Sequence, residues 1–105
     1  MAMDHTKKSR EEVRDMLLKV GPNVYFQPPS TVRMKYPAIR YEVNRWIDTF
    51  ANNNRYKKST EYLVTVIDSN PDSPLVEKMQ ELPYCRFDRR YIVDNRYHTV
   101  FVLKY

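Results

Sequence analysis

Three consecutive asparagines at positions 52–54 restrict the fold of this chain more than any other feature. Asparagine tolerates a left-handed backbone and hydrogen-bonds its own main chain, so the run predicts a turn. Two tyrosine-rich runs of strand character, residues 36–47 and 56–67, stand on either side of the turn region. Both runs are long, because strands of about five or six residues are usual. The sequence therefore predicts a long β-hairpin whose arm, residues 44–58, projects beyond the globular body.

A projecting arm has to pack against something, and the side chains near its tip favour another subunit. Trp46, Ile47 and Phe50 are large apolar groups that lie beyond the reach of a small core. They form either a minor cluster beneath the turn or a contact between subunits, where aromatic anchors are favoured. The hypothetical subunit interface comprises Trp46, Ile47, Phe50, Asn53, Arg55 and Tyr56.

The 105 residues suit one domain, residues 1–105, in which we expect 1–8 to be flexible. Ser9 and Glu12 form a capping box that predicts the start of the first helix. Its apolar positions recur at helical spacing from Val13 onwards. Gly21 is predicted to end it with a left-handed conformation, and Pro22 prevents its continuation.

The remaining elements alternate between strands and one further helix. Residues 23–27 predict a short strand before the hairpin, and Ser73 followed by Pro74 predicts the start of the second helix. Two final strands, 84–93 and 97–105, are linked by a tight turn at 94–96. The prediction is an α+β fold in the order α-β-β-β-α-β-β, a single mostly antiparallel sheet with both helices on one face. The expected core comprises Val13, Leu17, Val20, Val64, Val66, Leu75, Met79 and Phe87.

The composition argues against an enzyme. One cysteine, Cys85, allows no disulfide within the chain and no cysteine-rich zinc site. One glycine cannot build a phosphate-binding loop, and two distant histidines suggest no metal cluster. Asp68, Asp72 and Asp88 could converge on a hard cation, but turn and cap roles are favoured for such residues. We expect no catalytic residue, no metal and no cofactor.

The formal net charge of +5 is compatible with nucleic acid, an acidic partner or a solvated surface. Arg86, Arg89 and Arg90 cluster on one predicted strand, where Asp88 interrupts them. They are candidates for a surface that faces DNA or for charge pairs between subunits. No apolar run is long enough to span a membrane, so we expect no membrane partner and a chain that is soluble and cytoplasmic at synthesis.

The run Val-Thr-Val-Ile-Asp-Ser-Asn-Pro-Asp-Ser at 64–73, together with further segments that cover most of residues 24–105, carries a resemblance. These segments resemble small proteins encoded in the head–tail gene region of long-tailed bacteriophages, most strongly at 64–73. The matching segments are 24–29, 34–41, 48–56, 62–74, 82–95 and 98–103.

In these segments the chain is similar to tail terminator, or tail completion, proteins, which are small α+β subunits. The resemblance implies a homo-oligomer, a ring of six, that caps the tail tube, stops its polymerisation and joins the tail to the filled head. The implied partners are the tail tube protein and a head-side connector protein. DNA would cross the ring without sequence recognition, and the family has no catalytic residues to carry over. The implied location is the head–tail junction of the virion, with the host cytoplasm as the site of assembly.

Two further kinds of function remain open at this point. One is a different place in the same particle, as a head-side connector or a minor tail component. The other is a small basic nucleic-acid-binding module, in which Tyr84, Tyr91, Tyr97 and Arg89 would form a platform that stacks bases. The aromatic residues occupy both strand parities, which argues against a platform on one open face.

Overall fold

The computed structural model describes residues 2–28, 31–50 and 56–105, with side chains described for 9–28, 31–47 and 59–105. These described residues contain two helices and five strands, which follow one another in the predicted order. Helix α1 spans Ala2–Leu18 and helix α2 spans Pro74–Gln80. The strands are β1 Val24–Phe26, β2 Ala38–Phe50, β3 Tyr56–Asp68, β4 Cys85–Val93 and β5 Arg96–Lys104.

The strands form a single sheet in the order β1-β2-β3-β5-β4. Only β1 and β2 pair in parallel, and the other three pairings are antiparallel. The α+β class and the mostly antiparallel sheet are therefore confirmed. Strands β2 and β3 pair as far as Phe50 and Tyr56. The predicted turn, residues 51–55, lies outside the described residues, and the projection of the arm stays a prediction.

Both helices contribute to one core on one face of the sheet. Val13, Leu17 and Val20 of α1 and Leu75 and Met79 of α2 belong to the same buried cluster. The strands supply the rest of that cluster with Ile39, Tyr41, Tyr62, Val64, Val66, Phe101 and Leu103. Seven of the eight predicted core residues are thus buried. Phe87 is the exception, because it lies on an edge strand and is 53% exposed.

The predicted ends of the first helix are wrong in two respects. The helix begins at Ala2, so Ser9 lies within it and does not cap it. The buried hydroxyl of Ser9 instead shares a 2.9 Å hydrogen bond with the hydroxyl of Tyr62 on β3. Gly21 follows the helix without a positive φ. A Cβ atom at Gly21 would lie 3.2–3.3 Å from side-chain carbons of Leu75 and Ile39, so close packing explains the glycine.

The predicted start of the second helix and the final turn agree with the structure. Ser73 caps α2, with its Oγ accepting a 3.3 Å hydrogen bond from the amide of Leu75. Between β4 and β5, Asp94 and Asn95 have φ angles of 52° and 61°. Two residues in this region form a tight turn that matches the twist of the flanking strands. Among the described residues, no helix is both long enough and apolar enough to cross a lipid bilayer.

Candidate functional site

The sheet has one face covered by the helices and one face that no described helix covers, which we call the helix-free face. Strand alternation assigns each residue to a face, and two β-bulges change the alternation. One bulge lies between Val43 and Arg45, and the other lies between Phe87 and Arg89. The second bulge places Arg86 and Arg89 on the same face, although their numbers differ in parity.

Basic residues dominate the helix-free face. By register, it carries six cations and two carboxylates among the strand residues whose side chains are described, a net charge of +4. The cations are Arg40, Arg45, Arg86, Arg89, Arg96 and Lys104, and the carboxylates are Glu42 and Glu61. Asp88, which the bulge leaves without a register partner, lies 3.9 Å from Arg89 Nε, and its carboxylate reduces this net charge to +3. Most of the formal charge of +5 of the whole chain is therefore concentrated here.

The arginines flank an apolar strip that runs along the two central strands. Val100 and Val102 of β5 and Thr65 and Ile67 of β3 are 2–8% exposed and belong to this face. Pairing places Arg89 opposite Val100, Val100 opposite Thr65, and Thr65 opposite Arg40. Arginines thus stand at both ends of a row that crosses four strands. With strands about 4.8 Å apart, the ends of the row are separated by about 14 Å.

Glu61 on β3 binds two residues of the neighbouring strand β2 at one corner of the helix-free face. Its side chain is 9% exposed, and its Oε2 accepts hydrogen bonds from Asn44 Nδ2 at 2.6 Å and from Arg45 Nε at 3.1 Å. Burial by itself raises the pKa of Glu61. The two hydrogen bonds and the charges of Arg45 and Arg86 outweigh this effect, so the pKa lies below its ordinary value. The carboxylate therefore stays ionised at neutral pH and holds Arg45 in place at the bulge.

An open cavity of about 370 Å³ adjoins this corner. Arg45 of β2 and Arg86 of β4 line it from its two sides, and Glu61 of β3 and Lys104 of β5 lie between them. Three cations and one carboxylate give its lining an excess of positive charge. The cavity has the composition of a binding site for an anion.

A second surface of interest is the free edge of the sheet at β4. Eight of its nine residues are exposed, and only Cys85 is partly covered. Exposed apolar side chains occur along and beside it, including Tyr84 at 80%, Ile92 at 63% and Phe87 at 53%. An exposed hydrophobic edge strand offers unpaired backbone groups to another chain. The β4 edge is therefore a candidate contact surface.

The predicted interface residues at the end of the hairpin do not converge on one face. Trp46 pairs with Thr60 on the helix side of the sheet, where its side chain is 63% exposed. Ile47 lies on the helix-free face and lines the cavity near Glu61. Phe50 and Tyr56 form the last backbone pair of the two strands. The side chains of these two residues, and all of Asn53 and Arg55, lie outside the described residues. The interface stays a prediction.

The three arginines predicted to act together are divided between the two faces. Arg86 and Arg89 lie on the helix-free face, whereas Arg90 pairs with Thr99 on the helix side. There its Nη2 donates a 2.6 Å hydrogen bond to the carbonyl oxygen of Pro71, and its guanidinium lies 4.6 Å from the centre of the Tyr97 ring. Alternation alone would also divide the three, with Arg86 and Arg90 on one face. The bulge, which periodicity does not predict, places Arg89 beside Arg86 and moves Arg90 to the other face.

The bulge also bears on the predicted aromatic platform. Tyr91 and Arg89 share the helix-free face, where the Tyr91 ring stacks on His98 with centroids 5.0 Å apart. Tyr97 lies on the opposite face, and Tyr84 lies before β4 begins. The four residues therefore do not form one stacking surface. The sequence does not single out Arg40 and Arg45, because only the register brings these residues of β2 onto the same face as Arg86 and Arg89.

The acidic residues near α2 act in turns, as the favoured interpretation predicted. Asp68 Oδ1 accepts a 3.0 Å hydrogen bond from the amide of Asn70, and Asn70 Oδ1 accepts one from the amide of Asp72 at 2.9 Å. Asp88 lies in β4 at the bulge. Within the described part of the chain, no group of three or more histidine, cysteine and acidic side chains could hold a metal ion.

Cys85 has the environment of an unreactive thiol. Burial raises its pKa to about 11, well above the usual range near 8.5. We expect iodoacetamide at pH 8 to alkylate the folded protein on the order of a hundredfold more slowly than the same chain in denaturant, because the thiolate is the reactive form. A time course followed by mass spectrometry measures both rates. Equal rates would show that Cys85 is accessible and ionises normally.

Comparison with known proteins identifies no relative. No protein-family model matches the chain. Neither the curated proteins nor the solved structures include a significant match to it. The resemblance to tail terminator proteins therefore depends on the sequence segments alone.

Proposed function

We propose that this chain is a structural subunit that assembles with copies of itself into the ring at the head–tail junction of a long-tailed bacteriophage. The ring caps the tail tube and joins the tail to the head. The particular place in the particle and the number six come from the resemblance in segments such as 64–73. The exposed β4 edge supports self-association of the chain, and it is the main observation behind the proposal.

The argument from the β4 edge is physical. Unpaired strand edges with exposed apolar side chains promote association, and soluble proteins usually shorten, charge or cover them. Here Arg86, Asp88, Arg89 and Arg90 charge the edge, but Phe87 and Ile92 remain more than half exposed. In a ring, each subunit presents one surface to the next subunit in a repeated heterologous contact. Such a contact would cover the apolar side chains of the edge.

Two matched substitutions test self-assembly. In Ile92→Lys, a charge is introduced on the β4 edge at an apolar residue that is 63% exposed. We expect it to lower the oligomer population at least tenfold, because the new charge would have to be buried in the contact. Leu18→Lys makes the same change on α1 at a residue that is 47% exposed, and it should leave assembly unchanged. Light scattering coupled to size-exclusion chromatography measures the mass against multiples of 12.7 kDa.

Three results would contradict this part of the proposal. One is a wild-type chain that remains monomeric up to its solubility limit, both alone and with tail tube protein. Another is an oligomer that Ile92→Lys leaves intact. The third is an equal effect of Leu18→Lys, which would place the contact elsewhere. Unchanged melting temperatures in both variants would show that the substitutions act on assembly and not on folding.

A further inference from the structure

We propose that the helix-free face binds the phosphate backbone of duplex DNA, with the arginines of β2 and β4 on either side of the apolar strip. The inference deepens the proposed function, and it rests on that function in one respect: the DNA would be the genome that crosses the ring. It identifies which face of the subunit meets the DNA and which residues make the contact.

Charge complementarity is the first argument. Nucleic acids bind sequence-independently through cations that neutralise phosphates and release counterions. The helix-free face carries a net charge of +4 by register, or +3 with the Asp88 carboxylate that lies 3.9 Å from Arg89 Nε, whereas the whole chain has +5. Arginine is well suited to this role, because its planar guanidinium can donate two parallel hydrogen bonds to one phosphate.

Geometry is the second argument. Arg40 and Arg89 stand at the two ends of one cross-strand row, about 14 Å apart by strand spacing. The major groove of B-form DNA is about 12 Å wide, so its two phosphate backbones are separated by a similar distance. The arginines of β2 can therefore approach one phosphate backbone while the arginines of β4 approach the other. In the strip between them only Thr65 has a polar side chain, and it is 7% exposed, so the strip offers little to base edges. This agrees with contact without sequence recognition.

The polar corner at Glu61 supports this role for Arg45. A buried carboxylate beside an arginine fixes the direction of the guanidinium, and Glu61 accepts its bond from Arg45 Nε. Bonding through Nε engages one edge of the guanidinium, and the Arg45 side chain remains 67% exposed. Arg86 and Lys104 line the same cavity, so a phosphate there would meet three cations and one carboxylate, Glu61, which Arg45 and Asn44 already engage.

A charge-reversal pair tests the proposal. We expect Arg86→Glu combined with Arg89→Glu to weaken binding to a fluorescein-labelled 30-base-pair duplex at least tenfold at about 50 mM salt. The matched control is Arg14→Glu combined with Lys78→Glu, which makes the same change in net charge on the exposed surfaces of α1 and α2. Fluorescence anisotropy should show less than a threefold effect for the control.

Salt dependence and sequence dependence complete the test. Binding by the wild type should fall steeply with salt, and the slope should decrease by about 0.9 for each phosphate contact that the variant loses. Two duplexes of unrelated sequence should bind equally. The proposal would be overturned by absent binding at about 50 mM salt, by equal losses in the control, or by affinity that salt does not change.

The mass of the protein–DNA complex shows whether the chain binds DNA as a monomer or as an assembled ring, so failure of this proposal can be told apart from failure of the ring proposal. A chain that binds DNA as a monomer and never assembles would support the DNA-binding face and contradict the ring. An assembled ring that does not bind DNA would contradict only the DNA-binding face. Heparin added as a competitor should displace DNA from the wild type, whereas inorganic phosphate at the same charge concentration should displace it weakly.

Discussion

Replacing Leu17 with alanine is expected to cost about 2–5 kcal/mol of unfolding free energy, which is the range for a fully buried leucine. Leu17 has no exposed surface and packs in the cluster that joins both helices to the sheet. Small domains have about 5–15 kcal/mol of stability in total, so the loss is a large fraction of it. The melting temperature should fall by more than about 8 °C, as judged by circular dichroism.

The neighbouring residue provides the control for this prediction. Leu18 has the same side chain on the same helix but is 47% exposed. Leu18→Ala should change the unfolding free energy by no more than about 0.5 kcal/mol, because it removes little buried surface. Equal effects of the two substitutions would show that α1 does not face the sheet as described. Because both variants replace a leucine with alanine in the same helix, the difference in helix propensity between the two residues cancels when their effects are compared.

Sequence patterns predicted the elements well where periodicity or a cap was decisive. The apolar spacing of α1, the cap at Ser73 and the turn at Asp94 and Asn95 all agree with the structure. The start of α1 was wrong, because a serine followed three residues later by a glutamate also fits inside a helix. Tyr62 is a long-range partner for Ser9, and the local sequence gives no sign of it.

The candidate surfaces were harder to predict, because they depend on strand order and on bulges. Nothing in the sequence indicates that β4 is an edge strand, which is why the predicted core includes Phe87. Alternation alone separates Arg86 from Arg89, whereas the bulge at Asp88 brings them to one face and directs Arg90 to the other. Glu61 was not singled out either, because its partners Asn44 and Arg45 lie on another strand.

The two proposals give the β4 edge and the helix-free face different roles. The edge carries the apolar side chains that would contact a neighbour, and the face carries the cations that would contact DNA. Arg86 and Arg89 belong to β4 but point to the face. Substitutions at Ile92 and at these arginines should therefore affect assembly and DNA binding separately. Sites without shared contacts usually act independently.

Deleting the gene from a phage that encodes this chain is expected to abolish infectivity. Under the proposed function, filled heads and tails would not join without the ring, so lysates should contain full heads and separate tails. Tails of abnormal length would accompany this defect if the ring terminates the tube. Supplying the wild-type chain from a plasmid should restore infectious particles, whereas Ile92→Lys should not.

Electron microscopy of these lysates is the most direct test of the proposed function. The account predicts filled heads without tails, and abnormally long free tails identify the terminator. Normal but unattached tails would limit the role to joining, and heads that have lost their DNA would place the ring on the head side. Normal, infectious particles in the absence of the gene would contradict the proposal that this chain is a subunit of the head–tail junction.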